Sequence, residues 1–115
     1  MKTRPCRSDI SIVNQHCVSL PTCCPVSGNP LPGSTLTISY LPNGKVIDVY
    51  SLSSWVNEFV GGHPSGTREM ESMIQDLAER CAAAVMVEVT ATADLTINAG
   101  LTTQTMQVVC KAGPQ

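Results

Sequence analysis

Two runs of strict alternation bracket two runs of helical spacing, and that arrangement limits this chain more than anything else in it. Leu36, Ile38 and Tyr40 alternate with Thr35, Thr37 and Ser39, while Val85, Val87, Val89 and Ala91 alternate with Met86, Glu88, Thr90 and Thr92. Successive side chains of a strand point to opposite faces, so each run predicts a strand with one apolar face. Between them, Leu52, Trp55, Val56, Phe59 and Val60 recur at helical spacing after Ser51, a good N-cap, and stop at Gly61-Gly62. Met70, Met73, Ile74, Leu77 and Cys81 mark a second helix, for which Ser65 or Thr67 can serve as cap and Glu69 and Glu71 suit the positive end of the dipole. Ala82, Ala83, Ala84 and Val85 lead from it into the next strand.

Turn chemistry supplies the connections. Pro42-Asn43-Gly44 predicts a hairpin between the strand beginning at Ser34 and a second strand over residues 45–50, and Asn98-Ala99-Gly100 predicts a turn into a last strand over residues 101–110. The expected order is strand, strand, helix, helix, strand, strand: an α+β domain, its antiparallel sheet covered on one face by two helices. Residues 1–33 read as a loop-rich segment, with 10–13 the only short candidate strand; residues 34–110 form the domain, and 111–115 a frayed tail.

A chain of 115 residues supports a single core, and with four aromatic side chains (Tyr40, Tyr50, Trp55, Phe59) that core is aliphatic, a setting in which subunit contacts help. Seven basic and nine acidic residues give a formal charge of −2 without a basic footprint for nucleic acid. No apolar run is long enough for a signal sequence or a membrane span, so a cytoplasmic protein with no membrane partner is expected, its six cysteines free thiols. His16-Cys17 and Cys23-Cys24 lack the spacing of a zinc knuckle. His16 and His63 could shuttle protons near neutral pH, and each reads more simply as an ordinary loop histidine.

The chemistry concentrates in Cys24-Pro25-Val26-Ser27-Gly28-Asn29-Pro30, which precedes the first strand and the segment Ser39-Tyr40-Leu41-Pro42-Asn43. This run resembles the entry segment of the enzymes that reduce the nitrile of 7-cyano-7-deazaguanine, members of the tunnelling fold with the strand and helix order given above. The resemblance implies a homo-oligomeric barrel that binds purine-like or pterin-like rings at subunit interfaces. It also makes Cys24 the nucleophile whose thiolate adds to a nitrile carbon and forms a covalent thioimide. Cys23 has no counterpart in that family. Taken alone, Cys24 reads as a small buried hydrophobe, the usual fate of a free cysteine.

The resemblance extends to a ring-reading glutamate, for which Glu69 is the choice ahead of Glu71, and to Ile47, Asp48 and Val49 as lining of the ring pocket. Helix-dipole charge and strand packing are the plainer readings of these residues. Departures from the pattern are as informative. The family's proton-delivering acid, seven positions after the nucleophile, is Leu31 here. Its cofactor signature corresponds to residues 48–53, Asp-Val-Tyr-Ser-Leu-Ser, without either lysine, and its Arg-Gly-Gly corresponds to Thr92-Ala93-Asp94. NADPH is therefore not expected, and no other cofactor is. Two alternatives stay open: a non-catalytic purine- or pterin-binding protein of the same fold, and a GTP cyclohydrolase-like metal enzyme using Cys24 and His63.

Overall fold

A computed structural model describes residues 1–62 and 69–114. Over the described residues the fold is α+β, with two helices and two antiparallel sheets. In chain order its elements are β1 (Thr3–Pro5), β2 (Asn14–Ser19), β3 (Thr35–Tyr40), β4 (Lys45–Ile47), α1 (Val49–Asn57), α2 (Met70–Val85), β5 (Val89–Asn98) and β6 (Thr103–Ala112). The main sheet runs β2-β3-β5-β6, and β1 pairs with β4 in a small second sheet.

The alternation of β3 behaves as expected, and that of β5 does so from Val89 onward, while residues 85–88 of the expected run precede the strand. Leu36, Ile38 and Tyr40 on β3 and Val89, Ala91, Ala93 and Leu95 on β5 are buried, and they share one core with Leu52, Trp55 and Val56 of α1 and Met73, Ile74, Leu77, Ala78, Cys81, Ala82 and Val85 of α2. Alanines on β5 leave room for α2, which packs on β5 and β6. Leu20, Ile47 and Phe59 complete the core. The opposite face carries Thr35, Thr37, Ser39, Thr90, Thr92 and Thr96, with Asp94 exposed among them. That face is polar, as a sheet face without covering helices requires.

The structure corrects several expectations. The segment after Pro42-Asn43-Gly44 does not fold back on β3, because β2 and β5 already occupy both sides of that strand. It pairs instead with β1, Thr3 opposite Ile47 and Pro5 opposite Lys45, and it ends at Ile47, short of the expected strand end at Tyr50. The partner of β3 is β2, a few residues beyond the short strand expected at 10–13 and inside the segment read as loop-rich. The N-cap of α1 is Asp48 rather than Ser51, since the Asp48 carboxylate accepts a hydrogen bond from the Ser51 N–H at 3.0 Å. Val60, counted on the apolar face of α1, is exposed.

Ala82 to Val85 are the last turn of α2 and not an entry into β5. The helix ends at Met86 in the left-handed conformation, where the N–H of Met86 donates to the Ala82 carbonyl. Glu69 occupies the N-cap position of α2 without a side-chain cap bond. Ser65, Thr67 and His63 lie outside the described residues.

Candidate functional site

Residues 20–34 join β2 to β3, and this long connection carries Cys24. Its base is tied: the Leu20 N–H donates to the Ser34 carbonyl at 2.9 Å, and the Ser34 hydroxyl donates to the Leu31 carbonyl at 2.8 Å while accepting from the Thr96 N–H at 3.0 Å. Its tip is clamped to the end of β5 by a reciprocal pair. The Asn98 N–H donates to Asn29 Oδ1 at 2.7 Å, Asn29 Nδ2 donates to the Asn98 carbonyl at 3.0 Å, and Asn98 Nδ2 donates to the Ser27 carbonyl at 3.0 Å. A third tie runs from the Gly61 N–H to the Cys23 carbonyl at 2.8 Å.

Within this frame the chain turns sharply over Cys24-Pro25-Val26-Ser27. The N–H groups of Cys23 and Cys24 both donate to the Asn29 carbonyl at 2.9 Å, and the Gly28 N–H donates to the Cys24 carbonyl at 2.8 Å. Gly28 closes the turn at φ 77°, a conformation in which a side chain would be strained. The turn brings the Ser27 N–H to 3.4 Å from Cys24 Sγ. Hydrogen bonds from the Ser27 hydroxyl, the Ser27 N–H and the Val26 N–H hold the Cys24 thiol below its ordinary pKa. Cys23 is the opposite case: burial pushes its thiol up, and the neighbouring Cys24 adds to the rise. Of the two adjacent cysteines, the exposed one is therefore the more acidic.

Cys23, Cys24, Pro25, Ser27 and Asn29 form one wall of a cleft of about 420 Å³, closed by Gly61 and Gly62 after α1, Met70 at the start of α2 and Ile97 of β5. Small-molecule sites commonly occupy roughly 300 to 1,000 Å³ and combine apolar walls with a few polar groups. Here Met70 and Ile97 supply the apolar walls, and the exposed Cys24 is among the lining residues.

The remaining sequence-predicted residues lie apart from this cleft. Ile47 is buried in the small sheet. Asp48 caps α1 and pairs with Arg4 at 2.9 Å, its carboxyl held below the usual range first by the Ser51 N–H. Val49 is exposed on another groove, of about 540 Å³, with Gln15, His16, Cys17, Leu52 and Ser53. Glu69 is exposed immediately before Met70. Among the described residues lining the Cys24 cleft there is no carboxylate, and Leu31 spends its N–H on the Thr96 carbonyl at 2.8 Å. No group of three or more His, Cys, Asp or Glu side chains converges as a metal site among the described residues.

Sequence reasoning missed Asn98, Met70, Ile97, Gly61 and Gly62 as parts of the site. The Asn98-Ala99-Gly100 turn was visible, but its clamp on Asn29 is a contact across 69 residues of chain. No protein-family model matches this chain, and none of the curated proteins matches it.

Proposed function

We propose that this protein captures a small planar electrophile on Cys24, of the class of 7-deazaguanine nitriles, as a divergent relative of the nitrile reductases on the tunnelling fold. One observation carries the reading: an exposed sulfur at the rim of a cleft, with two backbone N–H groups and a hydroxyl directed at it. Thiolate character and access are the two requirements of a cysteine nucleophile.

The addition balances without a cofactor. The Cys24 sulfur forms a bond to the nitrile carbon, one π pair of the C≡N bond becomes a nitrogen lone pair, and nitrogen takes the proton that the thiol gave up, leaving a thioimide. With Leu31 in place of a proton-delivering acid and no carboxylate among the described lining residues, the reading favours capture over rapid turnover. The same absence supports a second reading, a purine- or pterin-binding protein that uses the cleft without covalent chemistry. In a barrel of the kind the resemblance implies, the exposed Glu69 and Val49 of a neighbouring copy are the residues free to approach such a ring, since Ile47 is buried and Asp48 is engaged with Ser51 and Arg4.

Intact mass after incubation with 7-cyano-7-deazaguanine separates the two. Addition by the mass of one ligand, lost in Cys24→Ala and kept in Cys23→Ala, is the expected result. Binding without a mass change selects the non-covalent reading, and neither binding nor adduct overturns both.

A further inference from the structure

Independently of the Cys24 cleft, the Tyr40 hydroxyl joins the two sheets through a set of hydrogen bonds that is already full. The Ile47 N–H of β4 donates to it at 2.8 Å, and Asn14 Nδ2 of β2 donates to it at 2.9 Å. A phenolic oxygen that accepts twice has its own proton left to give. That proton faces His16 Nε2, 3.1 Å away, so the neutral imidazole with Nε2 unprotonated is the form that fits. The rings of His16 and Tyr40 stack at 5.8 Å with 9° between their planes, which holds this geometry.

We infer that His16, Tyr40 and Asn14 form a proton-sensitive latch: protonation of His16 expels the Tyr40 proton from its place and releases β4, and with it the small sheet, from the main sheet. A protonated imidazole presents a third N–H to an oxygen that already accepts two and leaves the phenolic O–H without an acceptor. The consequence extends past one bond. Ile47 precedes the cap of α1, the Asp48 N–H donates to the Lys2 carbonyl at 3.1 Å, and the Lys2 N–H donates to the Ser51 hydroxyl at 2.8 Å, so β1, β4 and the start of α1 are connected. The groove between β2 and α1, lined by His16, Val18, Val49 and Leu52, lies beside that joint.

Few other titratable groups bear on the histidine. On its own strand Cys17 lines the same groove, from β3 it meets Tyr40, and the α1 residues of the groove, Val49, Leu52 and Ser53, carry no charge. Tyr40 in turn feels Cys6 and Cys81, and its hydroxyl is held up chiefly by burial, so it keeps its proton through the neutral range. Asp48, one residue past Ile47, is engaged with Arg4. Burial holds the His16 pKa below the ordinary histidine value. The unfolded chain therefore takes up the proton first, and stability begins to fall as pH drops through the ordinary histidine value, continuing until the folded-state value is reached.

The test is residue-resolved amide exchange with the His16 titration followed by NMR on the same full-length sample. As His16 protonates, the protection factor of the Ile47 amide is expected to fall about tenfold while Leu36 and Ile38 in β3 stay protected. His16→Gln, whose amide oxygen accepts the Tyr40 proton at every pH, is expected to hold Ile47 protection constant over that range. Unchanged Ile47 protection in the wild type, or inversion of the Asn14 amide to accept the Tyr40 proton in place of the imidazole, overturns the latch. Loss of β3 protection together with that of Ile47 also overturns it, since it reports global unfolding.

Discussion

The chemical difference between Cys23 and Cys24 comes from where each sulfur sits in one turn. Cys24 projects outward and collects the donors of Val26 and Ser27, whereas Cys23 is half-buried and forms part of the loop's packing. A thiol whose charged form is hydrogen-bonded ionises earlier, and the thiolate is the reactive species. Alkylation near neutral pH is therefore expected to modify Cys24 ahead of Cys23, with fragment masses assigning the site. Ser27→Ala removes the one side-chain donor and leaves both backbone N–H groups, so Cys24 should react about fivefold more slowly at neutral pH, the scale of one hydrogen bond. Equal rates for the two cysteines would contradict the account of the turn. Cys81 supplies the internal control: burial pushes its thiol to about 12, and it should stay unmodified until the chain unfolds.

At the scale of elements, Met86 shows a local compromise with a measurable consequence. It ends α2 at φ 61°, a conformation that L side chains adopt at a cost, and its side chain is exposed, so little packing offsets the strain. Met86→Gly is expected to stabilise the fold by about 0.5 to 1 kcal/mol, read from urea unfolding midpoints at unchanged slope. A destabilised variant would mean that the methionine contacts outweigh the backbone term. The same contrast between local and distant causes decides what the sequence made legible. Strand β3 and the part of β5 from Val89 could be read from clean alternation, and both helices from their apolar stripes, although Val85 belongs to α2 and Val60 lies beyond α1. Strand β2 could not, since Asn14 and His16 stand on its inward face and serve Tyr40 instead of the aliphatic core. Nor could the partner of β4 be read, because which edge is free depends on β2 and β5, distant in sequence. Within the candidate site, Cys24, Ser27 and Asn29 belong to a contiguous motif and were visible. Met70 and Ile97 arrive through tertiary packing and carried no signal beyond apolarity.

For the whole molecule, shape and sheet edges bear on association. The radius of gyration is 14.6 Å, above the roughly 13 Å of a compact chain this long, and the long dimension is 52 Å against 26 and 22 Å. Strands β5 and β6 are ten residues each and continue beyond the pairing with β3, which ends at Asp94, to a turn where Leu101 is fully exposed. The main sheet ends in β2 on one side and β6 on the other, and each edge strand leaves backbone donors and acceptors unpaired within the sheet. A polar, uncovered face between two such edges suits closure by copies of the same chain, in which edge meets edge and the Thr-rich faces turn inward. Sedimentation at micromolar concentration is then expected to give a mass several times the 12.2 kDa of one chain. Val109 sits exposed on the uncovered face of β6, so Val109→Asp places a charge beside the neighbouring strand and should shift the distribution toward single chains without loss of far-UV circular dichroism. A wild-type protein that sediments as one chain would remove the barrel from the proposed function. The Cys24 cleft, built within one chain, would then have to bind its ligand without residues from a neighbour.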